Sequence, residues 1–441
     1  MPGPKIRYTT DDLAEVPILW TGDVAVIGGG SAGSSAATAS ARLGAKTILV
    51  ESGAFLGGTG ARVLDTFYGF YAPGEAGLRT VGGIGQEICE QLTARDMAFE
   101  RPNTYGGGTG VTYEPEALKS VWDEITTTAG VSTLFYGLAT GVIMDGTLLV
   151  GVVLETKSGP VQIRANALVD ATGDAEIAWR AGATTDNGNG TVRPQPATAT
   201  FRVGGVTEPA ASTQELHALI REASKSGDYT LPRLEGSIHI TNLPGIRHAN
   251  LTRMSGMDLT DPWQLSNVEV AGRQQSMEYV RFLQDRVPGY RHSYLVATST
   301  RVGVRETRRL VGEYVLDRED FVHALSHDDD IARCGAPIED HGQGDSTRWE
   351  YVGGLAAPDG RSYGVPFGSL VPLEVENLLV AGRCLSATHE AHASVRSIAQ
   401  CMAMGQAAGA AAALASDAGV LTRDIDRRRL RSVLSDAGAI L

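Results

Sequence analysis

Asp23-Val24-Ala25-Val26-Ile27-Gly28-Gly29-Gly30-Ser31-Ala32-Gly33 is an apolar run that breaks into Gly-x-Gly-x-x-Gly. Small residues continue from Ser34 to Leu43, and a second apolar run, Thr47-Ile48-Leu49-Val50, ends in Glu51. The pattern predicts strand, tight turn, helix, strand and a terminal acid. Gly28 permits the sharp turn out of the strand. Gly30 leaves room for a pyrophosphate against the backbone. Gly33 lets helix and strand pack closely. Ser31 and Ala32 open the helix, whose N–H groups and positive dipole end favour phosphates. Glu51, with Ser52 beside it, stands about 20 residues on, where a carboxylate binds ribose hydroxyls. An ordinary glycine-rich turn would not require that acid, so the unit predicts dinucleotide binding.

The 441 residues suffice for two or three domains with ample core. A net charge of -13 and an isoelectric point of 5.2 argue against a nucleic-acid partner, which needs a basic face. They leave room for a local cationic pocket. The four cysteines, Cys89, Cys334, Cys384 and Cys401, form no Cys-x-x-Cys pair, which argues against a thioredoxin-like motif or a zinc ribbon. Met1 to Trp20 has scattered charges and no signal-peptide core. No apolar run reaches the length of about 20 residues that spans a bilayer. The expectation is a cytoplasmic protein without a membrane span.

Further along, Ser52 to Gly60 is a glycine-rich loop and Phe67, Tyr68, Phe70 and Tyr71 an aromatic cluster. Gly85–Thr93 and Glu116–Thr128 read as helices. Tyr105 to Gly110 lacks a preceding strand and reads as a loop. Val131–Phe135, Ala139–Met144, Leu148–Leu154 and Val161–Arg164 alternate as short strands. Ala167 to Asp174 and Asn377 to Arg383 are each a buried strand entering a glycine turn, the second followed by a long small-residue helix from Ser394 to Leu414. Proline-punctuated residues 198–293 carry helical patterns at Thr213–Ser226 and Val268–Arg286 and read as an inserted α+β substrate or cap domain. The nucleotide-binding domain is then split into residues 18–197 and 294–441.

The segments Asp23–Glu51, Phe55–Tyr71, Val169–Ala183, Arg301–Arg309 and Asn377–Ala415 give the chain its resemblance. It resembles FAD-dependent oxidoreductases of the glutathione-reductase type. Within them it is most similar to the family labelled FAD-dependent oxidoreductase, relatives of the fumarate reductase and succinate dehydrogenase flavoproteins. The disulfide-reductase branch loses support with the missing Cys-x-x-Cys. The resemblance implies an α/β, Rossmann-like FAD-binding domain with flanking helices and a small β-meander. It places the FAD pyrophosphate on Gly28, Gly30 and Gly33 and its adenosine ribose on Glu51. Gly57, Gly58 and Thr59 would line the ribityl chain or ring. Ala171, Thr172, Gly173 and Asp174 would form a second turn over the pyrophosphate side, and Gly382 and Arg383 a turn near the ribityl chain. The helix after Ala393 would aim its N-terminus at the pyrimidine edge, where negative charge develops on reduction. Arg396 on that helix would face the flavin.

Only one complete Gly-x-Gly-x-x-Gly occurs, which suggests that electrons enter from an organic substrate and leave to oxygen, a quinone or a protein carrier. His389 and His392, in Cys384-Leu385-Ser386-Ala387-Thr388-His389-Glu390-Ala391-His392, lie just before the flavin-facing helix. Either could take a proton while hydride passes to flavin N5, or could simply bind flavin and backbone atoms. His-Glu-x-His is not a zinc-protease spacing, so no metal is expected. Arg301, Arg305, Arg308 and Arg309 form a cationic stretch. Strand alternation would put Arg301 and Arg305 on one face as an anion fork, although ion pairs with acids such as Glu306 and Glu313 are the commoner use of such a run. Tyr68 and Tyr71 stand equally for flavin stacking and core, and Gln406 for inter-helix hydrogen bonding. The expected activity is oxidation of a small organic substrate, with an alcohol or polyol carbon favoured because a histidine base suits a hydroxyl. The other readings are an isomerase, hydratase or lyase that uses flavin without net redox, an electron-transfer subunit of a complex, or a plain NAD dehydrogenase. A homo-oligomer or partner subunit is compatible with each.

Overall fold

The structure, a computed structural model, describes residues 7–74, 77–103, 108–187, 194–341 and 347–441. Tyr105 to Gly107 of the second glycine cluster lie outside the described residues. The first motif folds as strand Ile18–Ile27, helix Ser31–Arg42 and strand Thr47–Glu51. Parallel pairing runs from Ser132–Phe135 through Thr47–Glu51 and Ile18–Ile27 to Gly159–Asp170 and Leu378–Val380.

Strand alternation decides what each face buries. Val24, Val26, Leu49, Val169 and Leu379 enter a core shared with helices Ser31–Arg42 and Ile398–Ala418. Their neighbours Ala25, Ile27, Ile48, Val50, Leu168 and Val380 enter a second core with the β-meander and helix Glu176–Ala181. Both faces are covered, as a parallel sheet requires. Each fully buried Val, Leu or Ile contributes about 1.5–3 kcal/mol over its exposed state.

Val161–Arg164 and Ala167–Asp170 are halves of one strand, Gly159–Asp170. Its first half pairs antiparallel with Leu148–Thr156 through Arg164. Its second half turns to Leu378–Val380. The two halves meet different neighbours, so their apolar patterns differ and read as two strands.

Helix Ile398–Ala418 is long and apolar enough to cross a membrane, but 94% of its most apolar window is buried inside the protein. Its small residues explain the burial. A Cβ on Gly405 would stand 2.0 Å from the Ala32 carbonyl oxygen, and one on Gly409 1.9 Å from that of Ala36. The last helix therefore lies backbone to backbone on the helix of the first glycine motif. The inserted unit has a four-stranded antiparallel sheet of Ser237–Ile240, Arg247–Asn250, Phe201–Gly204 and Tyr294–Thr298. Helices Thr213–Ser226 and Pro262–Arg286 accompany it. Because Tyr294–Thr298 pairs with Phe201–Gly204, this sheet runs past the expected boundary at 293.

Candidate active site

The glycine turns converge at the C-terminal ends of the parallel strands. Gly28 has φ +103°, and a Cβ there would meet the Ala171 carbonyl oxygen at 2.5 Å. A Cβ on Gly33 would stand 1.8 Å from the Gly28 carbonyl oxygen. Gly30 is different: a Cβ would meet only the Gly58 Cα, at 3.9 Å, so its open side faces the Gly57–Thr59 loop. That loop is tied down by Gly57 N–H to Gly29 C=O (2.9 Å) and Ser31 Oγ to Gly57 C=O (3.3 Å). The helix's first inward amide bond is from Ser34 to Gly30 (2.8 Å), so the earlier amides remain at its open end. Gly382, φ +88°, packs against Ala32, where a Cβ would find the Ala32 Cβ at 2.8 Å.

The other sequence-named residues close round this cradle. The buried Glu51 carboxylate accepts from Gly29 N–H (2.9 Å), Gly53 N–H (2.6 Å) and Arg62 Nη2 (2.6 Å). Ser52 Oγ adds a bond at 3.2 Å. Burial pushes the Glu51 carboxyl up, but Arg62 and the amides hold it below its ordinary value. Each carboxylate oxygen has two lone pairs, so these bonds leave Glu51 capacity for a ribose hydroxyl. Asp174 receives Arg383 Nη2 (2.7 Å) and Thr307 Oγ1 (2.5 Å), joining the two later turns. Burial acts against the Asp174 charge, and Arg383 outweighs it.

Asp170, which the sequence reading passed over, is the hub of the second turn. One oxygen accepts from Thr172 N–H (3.0 Å) and Oγ1 (2.7 Å), the other from the amides of Ile177 and Ala178 (both 2.9 Å). Asp170→Asn would aim an NH2 at one of these donor pairs. It is expected to destabilise the FAD-bound protein by about 1–3 kcal/mol, read as a lower urea midpoint; an unchanged midpoint would remove Asp170 from this role.

The long C-terminal helix is two helices. Thr388 caps His389–Val395, its side chain accepting from Ala391 N–H, and the chain restarts at Ile398 after Arg396 and Ser397. His389 and His392 thus sit in a short helix of their own. Ser397 makes no side-chain cap bond, which leaves the first amides of Ile398–Ala418 for another acceptor.

The histidines differ. His389 Nδ1 lies 2.9 Å from Glu306 Oε2, and Nε2 lies 3.5 Å from Asp340 Oδ1. Burial disfavours its charge, but the two carboxylates win and raise its pKa to about 9. The two carboxylates thus favour the imidazolium at neutral pH, which weighs against the base role. Glu306 also takes Arg309 Nη1 (2.5 Å), and these cations hold it at about 2 against burial. His392 is fully buried and donates Nε2–H to the Arg383 carbonyl (2.8 Å). Burial lowers its pKa to about 3, and its Nδ1 has no hydrogen-bond partner.

The arginine stretch is irregular as far as Arg308, and only Arg309 enters a strand, Arg309–Leu310. Arg301 is exposed, whereas the half-buried Arg305 turns to the Pro196 carbonyl, so strand alternation does not pair them as a fork. Arg309 bridges Glu306 and Asp186, as the ion-pair reading expects, but Glu313 pairs with Arg427 instead. Arg308 lies over the Trp179 ring at 4.5 Å. Tyr71 bonds Glu100 on a partly exposed edge, while Tyr68 is half-buried and hydrogen-bonded to Arg101. Gln406 accepts from Ile84 N–H (2.9 Å), an inter-helix bond. An open groove of about 780 Å³ lined by Thr21, Leu148, Asn166, Asn377 and Ser416 lies at the other end of the strands and takes no part.

A phosphate cradle at a helix N-terminus, completed by a second helix end from the far C-terminus, defines a flavin-nucleotide oxidoreductase of the Rossmann-like α/β class. The chain belongs to the FAD dependent oxidoreductase family, whose model matches residues 23–434. FAD is its cofactor, and the open side of Gly30 against Gly58 is where the pyrophosphate fits. Among solved structures it is similar to a geranylgeranyl bacteriochlorophyll reductase-like protein from Thermoplasma acidophilum, at 14% identity over 95% of this chain and 84% of that one, TM-score 0.48. It is also similar to the flavin-dependent brominase Bmp2, at 14% identity over 94% and 83%, TM-score 0.46. A third is the anhydrotetracycline hydroxylase OxyS from Streptomyces rimosus, at 11% identity over 95% and 66%, TM-score 0.49. No curated protein matches the chain.

Proposed function

We propose that this enzyme is a dehydrogenase or oxidase that removes a hydride from a small organic substrate and passes the electrons to oxygen, a quinone or a protein carrier. When bound, FAD supplies the hydride acceptor. The carrying observation is the start of helix Ile398–Ala418, uncapped by Ser397 and held against the cofactor helix by Gly405 and Gly409. Preorganised amides there stabilise negative charge as it develops. Glu306, Asp340 and Gln195 hold His389 and its chain segment in place, with Gln195 Nε2 2.8 Å from Asp340 Oδ1. With His389 already protonated, the reason for preferring an alcohol carbon falls away. CH–OH, CH–NH and CH–CH bonds therefore enter the test as equals.

The test is anaerobic mixing of the FAD-bound enzyme with alcohols, amines and organic acids while flavin absorbance is followed. One class is expected to bleach the flavin at a rate that saturates with substrate. Rapid bleaching by NADH or NADPH alone, with none by any organic donor, would sink the proposal in favour of a reductase or hydroxylase.

A further inference from the structure

Three arginines meet where the inserted unit leans on the nucleotide-binding part: Arg233 from the insertion, Arg305 from the stretch after Thr298, and Arg396 beside the start of the last helix. Their hydrogen bonds end on neutral oxygens. Arg233 Nη1 donates to the Asn250 carbonyl (3.2 Å) and Oδ1 (3.0 Å), Arg305 Nη1 to the Pro196 carbonyl (2.7 Å), and Arg396 Nη2 to the Glu339 carbonyl (3.3 Å). Among the described residues no carboxylate oxygen lies within 4.0 Å of any of the three guanidiniums. Arg233 is 4% exposed, and the buried Nε atoms of Arg233 and Arg396 have no hydrogen-bond partner.

The nearest acid does not fill the gap. Glu339 Oε1 is taken by His341 Nε2 at 3.0 Å. Glu339 stays ionised at about 2, since His341, Arg396 and Arg305 outweigh its burial. His341 is neutral at physiological pH, lowered to about 3 chiefly by burial. Glu339 thus acts on Arg305 and Arg396 without pairing with either. Arg305 bears the strain: burial, then the repulsion of Arg396 and Arg233, lower its pKa to about 9. Buried cations are ordinarily paired, and a cluster left with neutral partners lacks a counter-ion. Neighbouring residues on the short strand Ile338–Asp340 point opposite ways, so Glu339 joins the arginines while Asp340 joins His389. Arg396 links the two networks, since Glu306 and Asp340 act on it at longer range than an ion pair, together with Glu339.

We propose that Arg233, Arg305 and Arg396 bind the carboxylate of the substrate, and that the substrate is therefore an organic acid whose anion bridges the inserted unit to the nucleotide-binding part. A carboxylate offers in-plane acceptors to guanidinium N–H groups from both sides of the junction. This rests on the oxidoreductase reading above and narrows its substrate class.

The test uses the FAD-bound enzyme with glycolate, malonate and benzoate, each against its amide. Binding is read by perturbation of flavin absorbance and by thermal shift. The acids are expected to bind and the amides to bind at least about tenfold more weakly, since a charged hydrogen-bond partner is lost. Arg305→Met should weaken acid binding by a similar factor with FAD content unchanged, and Arg396→Gln should weaken it as much when compared per bound FAD. Arg305→Lys should recover part of it, and the exposed Arg301→Gln should match the wild type. Equal binding of acids and amides, or wild-type affinity in both Arg305→Met and Arg396→Gln, would overturn the carboxylate site. Acids that bind while no donor bleaches the flavin would leave the site standing and sink the dehydrogenase reading. Neutral donors that bleach it while no acid binds would do the reverse.

Discussion

Gly33→Ala is expected to yield a protein that carries little or no FAD and unfolds at markedly lower urea than the wild type. The added Cβ would lie 1.8 Å from the Gly28 carbonyl oxygen and 3.1 Å from the Ala171 Cβ. Overpacking by one carbon ordinarily costs about 1–3 kcal/mol because neighbouring side chains shift. Here the obstacle is backbone, so the turn itself must open. Gly28 cannot yield easily, since its own N–H is fixed to the Val50 carbonyl (2.8 Å) and its far side faces Ala171. An effect above 3 kcal/mol, with loss of the cradle, follows from that geometry. Gly44→Ala is the contrast. Gly44 ends the same helix with φ +90° but has nothing within 4 Å of its Cβ position. It should lose only about 1 kcal/mol, from backbone strain, and keep its flavin. The measurements are flavin absorbance per polypeptide and urea midpoints. Full FAD content in Gly33→Ala would show that helix and strand are not in the contact described.

The first motif was legible because its constraints are local. A strand, two glycines with steric tasks and a carboxylate at a fixed distance leave few alternatives. The two later turns were legible for the same reason, each being an apolar strand ending at a glycine of positive φ. The break at Arg396–Ser397 carried a readable signal: Thr388 and Ser397 are both N-cap residue types, each followed by helix-forming residues. The run of small residues outweighed it and suggested one helix. Other parts depend on residues far apart in sequence. The protonation of His389 is set by Glu306 and Asp340, and nothing in His-Glu-Ala-His announces them. Strand alternation would put Arg301 and Arg305 on one face, but the segment between them is irregular. Arg305 turns to Pro196, and Arg309 to Asp186 and Glu306. Only the folded chain shows which of them lack a counter-charge.

The pairing of His389 with Asp340 and Glu306 makes a signed pH prediction. Raising the histidine from 6.5 to about 9 corresponds to about 3 kcal/mol of stability. A group whose folded pKa is raised gives that stability in full below 6.5 and loses it as pH climbs through 9. Glu306 is the mirror image: lowered from 4.5 to about 2, it stabilises above 4.5 and loses its effect as pH falls through 2. The two shifts share the His389–Glu306 contact and are not added, and Asp340 has its part in raising His389, so the stability this network gives is full between pH 4.5 and 6.5. His389→Gln is therefore expected to be less stable than the wild type by about 3 kcal/mol near pH 6. The gap should narrow steadily towards pH 9.5, as wild-type His389 gives up its proton. Glu306→Gln should instead show its gap closing on the acid side. Urea midpoints of the FAD-bound proteins at matched ionic strength would measure both. The same variant separates a positioning role from a catalytic one. A general base titrating near neutrality would give a rate that rises with pH and a limb that vanishes in His389→Gln. A fixed imidazolium gives no such limb, and the variant's turnover should change by the same factor at pH 6 and pH 8. A stability gap that is constant across pH, or a lost basic limb, would mean that His389 is neutral in the working enzyme.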